Sequence, residues 1–62
     1  MTNLERLRRE AQMSQEQLSE ISGVSRTVIV KIENGGIDSV TCNTLFRLAD
    51  ALNVKVAEFF DA

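Results

Sequence analysis

The chain has 62 residues, 44% hydrophobic and 26% charged, with one cysteine, no histidine and a net charge of −2. A chain this short is expected to form one domain over 1–62, and it removes only about 60% of its unfolded surface from water on folding, so its stability is marginal. The lone Cys42 excludes an internal disulfide, the missing histidines leave no Cys/His set for structural zinc, and the negative balance excludes holding phosphates by bulk charge alone.

The first segment, MTNLERLRREAQ, mixes charges with leucines at helical spacing, unlike a signal peptide. No apolar run approaches the roughly 18 residues that a membrane-spanning helix needs, so a cytoplasmic protein without membrane contact is expected. Thr2 followed by Glu5 fits a capping box, and Leu4, Leu7 and Ala11 share one face, which predicts a first helix from about Asn3 to Ala11. Ser14 with Gln17 is a second box, and Gly23 marks the stop of a short second helix over about Gln15 to Ser22. Ser25 caps a third helix, Arg26 to Asn34, whose Ile29 and Ile32 point the same way until Asn34-Gly35-Gly36 ends it.

After the polar loop, Thr41 caps a fourth helix over about Cys42 to Leu52, with Cys42, Leu45, Leu48, Ala49 and Leu52 at the periods of a buried stripe. Cys42 is therefore assigned to core packing, with no chemistry. Val54, Val56, Phe59 and Phe60 suggest a last short helix, although Lys55 is a poor N-cap. The expectation is an all-α, compact five-helix bundle.

The segment QEQLSEISGVSRTVIVKIENG places a helix, a glycine turn and a second helix in sequence. Leu18, Val24, Ile29 and Ile32 form its apolar seam, Ser19 is small where the helices approach, and Gly23 permits a left-handed turn. This pattern resembles the Cro/repressor, or xenobiotic-response-element, helix-turn-helix family. The resemblance rests on Gln15, Leu18, Ser19, Gly23, Val24, Ser25, Ile29 and Ile32-Glu33-Asn34-Gly35. A downstream set of Thr41, Thr44, Leu45, Leu48, Ala49 and Leu52 also matches, so the similarity covers nearly the whole chain.

The resemblance implies a lambda-repressor-like DNA-binding domain, acting as a transcriptional regulator, most often a repressor, on double-stranded DNA. It implies that the third helix enters the major groove, with Ser25, Arg26, Thr27, Val30 and Lys31 facing base edges. Arg26 suits bidentate donation to guanine, Thr27 can donate or accept, Lys31 reaches a base or phosphate, and Val30 can meet a thymine methyl. Gln15 and Asn34 resemble the family's contacts to the DNA backbone.

Three departures stand out. The loop from Gly36 to Val40 has no Lys or Arg and carries Asp38, which weakens nonspecific attraction. Val28 and Val30 flank Ile29, so one of them is expected to be exposed. Val40 stands where the family usually has a proline before the fourth helix.

The basic residues Arg6, Arg8, Arg9, Arg26 and Lys31 fall in the first half, and Asp38, Asp50, Glu58 and Asp61 in the second. Whether Arg8, Arg9, Arg26 and Lys31 converge on one face separates DNA binding from its competitor. That competitor is a protein-interaction module, such as an antitoxin or mobile-element partner protein, that docks through Val28, Val30 and Phe60. Without histidine, tyrosine or a phosphate-binding loop, neither an enzyme nor a cofactor or metal site is expected. The three phenylalanines lie in core-like or C-terminal settings and offer no stacking platform for single strands. A homodimer is expected, with Val56 and Phe59 turned inward and Phe60 outward at the interface.

Overall fold

Three helix starts in this chain are set by short hydroxylated side chains that satisfy backbone N–H groups no preceding turn can reach. Ser14 accepts from the Gln17 N–H at 3.0 Å while the Gln17 carboxamide oxygen accepts from the Ser14 N–H at 2.8 Å, the reciprocal box read from the sequence. Ser25 accepts from the Val28 N–H at 3.3 Å, and Thr41 from the Thr44 N–H at 3.2 Å. The computed structural model describes residues 3–60. Among them are four helices, α1 at Leu4–Glu10, α2 at Gln15–Ser22, α3 at Arg26–Glu33 and α4 at Cys42–Leu52, with 3-10 turns at Ile37–Ser39 and Val56–Phe59 and no strand.

The α2 and α4 bounds coincide with those read from the sequence, and α3 ends one residue early, at Glu33. Thr2, half of the expected first capping box, lies outside the described residues, as does Asp61. Asn3 precedes α1 instead, and it ties the two chain ends together. Its backbone N–H donates to the Phe59 carbonyl at 3.3 Å and its Nδ2 to the Glu58 carbonyl at 2.9 Å. Ala11, placed on the buried face of the first helix, is exposed, because the helix ends before it and Gln12 turns left-handed at φ 60°.

In place of a fifth α-helix the chain forms the 3-10 turn Val56–Phe59. Two β-branched valines and a lysine at the cap position give that segment little helical drive, and one tight turn suffices to aim Phe59 inward. Glu58 accepts from the Lys55 N–H at 2.9 Å and holds the turn closed.

The core is drawn from every element: Leu4, Leu18, Ile29, Ile32, Leu48 and Phe59 are fully buried. Each such side chain contributes roughly 1.5 to 3 kcal/mol of burial free energy. α2 packs on both α3 and α4, which fixes the angle at which α3 is presented.

Cys42 is exposed, not a core residue. As the first residue of α4 it lies at the end of the apolar stripe, and the core stops at Leu45. Phe46 is also exposed, at 61%, because it lies off the stripe formed by Leu45, Leu48, Ala49 and Leu52.

Two glycines show different reasons for a missing side chain. Gly23 ends α2 at φ 74°, the left-handed region where a β-carbon is strained. At Gly36 the reason is proximity: a β-carbon there would meet the Lys31 carbonyl oxygen at 2.9 Å. No described helix is long and apolar enough to cross a membrane.

Candidate nucleic-acid interface

The geometry of the interface begins with an anion at an unfavourable end of a helix. Glu33 is the last residue of α3, where its charge faces the negative end of the helix dipole, and its side chain is only 5% exposed. The compensating cation is Arg8 of α1, itself a buried residue. Arg8 Nε donates to Glu33 Oε2 at 2.8 Å and Nη2 to Oε1 at 3.3 Å, while Nη1 donates to the Met13 carbonyl at 2.8 Å. The guanidinium is thereby bonded on all three nitrogens without water.

Glu33 has capacity for a further donor, and Gln15 supplies it: Gln15 Nε2 donates to Glu33 Oε1 at 3.0 Å. A carboxylate only accepts, so it dictates that the Gln15 amide turn its NH2 inward and its oxygen away. That oxygen accepts from Arg26 Nε at 3.3 Å. The chain of bonds Arg8, Glu33, Gln15, Arg26 thus runs from the interior to the first residue of α3. With Nε occupied, the two terminal nitrogens of Arg26 remain as a fork that matches two acceptors side by side.

Arg26 and Thr27 are exposed and Val30 is half-buried, and these three line a shallow depression of about 340 Å³ on α3. Val28 packs against the core, so neither valine beside Ile29 is fully exposed. Ser25 is exposed at the N-cap, where its oxygen serves Val28. Lys31 is exposed, but its stem crosses the loop, with Cγ 2.8 Å from the position of a β-carbon on Gly36. Asn34 is exposed just past α3, its N–H bonded to the Val30 carbonyl at 3.0 Å. The structure therefore groups Arg26, Thr27 and Val30 with Gln15 behind them, and sets Lys31 and Asn34 at the far end of α3. Phe60 is 58% exposed at the opposite end of the chain.

A four-cation face built on Arg8, Arg9, Arg26 and Lys31 is not formed, because Arg8 is turned inward to Glu33, so this charge criterion does not favour DNA binding over a protein-interaction module. Arg9 pairs with Glu5 at 3.5 Å and Arg6 with Glu10 at 3.0 Å on the outside of α1. Such exposed pairs are worth under about 1 kcal/mol and exchange readily. Arg47 of α4 lies at the turn between α2 and α3, its Nη1 3.7 Å from the position of a β-carbon on Gly23.

Sequence reasoning gave no role to Arg8 and Glu33 beyond charge and motif, yet their positions carried a signal. Arg8 falls one turn after Leu4 beside Leu7, and Glu33 one turn after Ile29 beside Ile32, so both occupy core periods. Opposite charges at core periods of two helices are the mark of a buried pair.

Residues 4–59 of the chain match the family described as helix-turn-helix. Control protein C.SmaI of Serratia marcescens is 52% identical over 44 residues, covering 71% of this chain and 51% of that protein. The chain therefore spans about half the length of the curated relative it matches. No solved structure matches it. The match runs from α1 to the last 3-10 turn and contains the whole α2–turn–α3 unit, so the chain belongs to the helix-turn-helix family of the xenobiotic-response-element type, whose members are DNA-binding regulators of transcription.

Proposed function

We propose that residues 1–62 act as one DNA-binding domain, a sequence-specific transcriptional regulator that reads double-stranded DNA with α3 in the major groove and represses by occupying its site. The observation that carries this reading is that Arg26, exposed and tied through Nε to Gln15, lines one depression with Thr27 and Val30. Guanine offers O6 and N7 to such a fork. Ser25 and Thr27 contribute hydroxyls to base edges, Val30 an apolar contact, and Lys31 a base or phosphate contact. Gln15 meets the DNA backbone through its main-chain N–H at the start of α2, since its side-chain amide is turned to Glu33. Asn34 makes a second backbone contact. The resemblance to a protein named for control supports the regulatory role.

Arg26→Ala is expected to lower specific binding by about 1 to 3 kcal/mol and to relax preference at one base pair while the fold is kept. Salt-titrated binding of parent and variant to duplexes selected from a random pool measures this. An unchanged ratio of selected to scrambled DNA would remove Arg26 from the base readers.

The regulator acts as a homodimer, because one α3 covers too few base pairs for a unique site and a two-fold partner doubles the footprint. Twofold symmetry places the two copies of α3 about 34 Å apart on one face of the duplex. Phe60, exposed beside the inward-turned Phe59, is the anchor of that contact. Sedimentation equilibrium is expected to give a dimer for the parent and a monomer for Phe60→Asp at the same concentration. A dimer that persists in the variant would place the interface elsewhere.

A further inference from the structure

The depression lined by Arg26, Thr27 and Val30 combines two side chains that can donate hydrogen bonds with one that cannot. Val30 is half-buried and is the apolar member of the three, while Val28 on the other side of Ile29 is committed to the core. Base edges in the major groove carry a single kind of apolar group, the methyl on C5 of thymine. We propose that this depression takes a pyrimidine C5 methyl, and that it accepts 5-methylcytosine in place of thymine, so that methylation of a cytosine at that position raises binding. This rests on the reading that α3 lies in the major groove with Arg26 on guanine.

Two features of the site support acceptance of both pyrimidines. Thymine and 5-methylcytosine present the same methyl and differ at C4, where thymine has an accepting oxygen and cytosine a donating amine. Thr27 lines the same depression, and its hydroxyl can donate or accept, so it can serve either group at C4. Unmethylated cytosine leaves Val30 without that apolar contact. Arg26 and Val30 are four residues apart on one helix, a rise of about 6 Å. At about 3.4 Å per step of one strand, the methyl falls within about two base pairs of the guanine.

Duplexes selected by the full chain from a random pool supply the probe. Single thymine–adenine pairs in the best duplex are replaced by deoxyuridine–adenine, cytosine–guanine and 5-methylcytosine–guanine pairs, and affinity is measured at fixed salt. Loss of the methyl at one position per half-site is expected to weaken binding about fourfold, the effect of exposing one buried methyl group. At that position 5-methylcytosine should bind within about twofold of thymine, with cytosine as weak as deoxyuridine. Val30→Ala should bring the thymine duplex down to the deoxyuridine level and abolish the difference, and Val30→Thr, which keeps the shape but adds a hydroxyl, should diminish it. The proposal is overturned if no thymine near the guanine responds to loss of its methyl, if 5-methylcytosine binds no better than cytosine, or if the methyl effect survives in both variants. An Arg26→Ala variant that relaxes no guanine, or a selection that enriches no sequence, would instead overturn the base-reading assignment beneath it.

Discussion

Arg8→Ala should lower the unfolding free energy by about 3 to 5 kcal/mol, the effect of removing one partner from a buried ion pair and leaving the other charge uncompensated. The size follows from the surroundings. Arg8 and Glu33 are 10% and 5% exposed at the side chain, and the truncation strips Glu33 of two donors and the Met13 carbonyl of its own. For a chain of 62 residues, total stability is roughly 3 to 9 kcal/mol, so the variant stands at the edge of unfolding at room temperature. Urea denaturation followed by far-ultraviolet circular dichroism measures the loss. Replacing both partners, as in Arg8→Met with Glu33→Leu, should recover most of it, because the buried charges are then gone together. A loss for Arg8→Ala below about 1 kcal/mol would mean that water reaches the pair and that it behaves as a surface one.

Phe59→Ala should cost a similar amount, about 3 to 5 kcal/mol, for a different reason. Phe59 is 1% exposed and is the largest of the fully buried side chains, so truncation opens a cavity in a core too small to refill it. The damage extends along the backbone. The Phe59 and Glu58 carbonyls accept from Asn3, so a displaced turn also unfastens the start of α1. Phe59→Leu, which keeps most of the volume, should lose less than half as much in the same titration. If alanine and leucine proved equally mild, the C-terminal turn would not be part of the cooperative core.

Helices α2, α3 and α4 were legible because each has its own punctuation: Ser14, Ser25 and Thr41 cap where the sequence puts them, and Gly23 and Asn34 close α2 and α3. The C-terminal turn was not, since Val54, Val56, Phe59 and Phe60 give an apolar period without saying whether one turn or three will satisfy it. Cys42 misled for a related reason: periodicity names the face of a helix but not how far the neighbouring elements extend along it. At the interface, Arg26, Thr27 and Val30 could be grouped from the numbering of a capped helix. What orients them could not, because Arg8 and Glu33 are 25 residues apart and Gln15 and Glu33 are 18 apart. Charge counting placed Arg8 among the phosphate seekers, whereas its period along α1 places it in the core.

The line of bonds from Arg8 to Arg26 also constrains how this surface can change. An exchange of the residues of α3 alone, made to direct the chain to another sequence, would leave the Gln15 oxygen without its donor wherever position 26 no longer carried one. Conversely, a change at Gln15 would reach both the buried carboxylate and the exposed fork. Positions 8, 15, 26 and 33 are therefore coupled, and the effects of substitutions at neighbouring members of this line should not add independently.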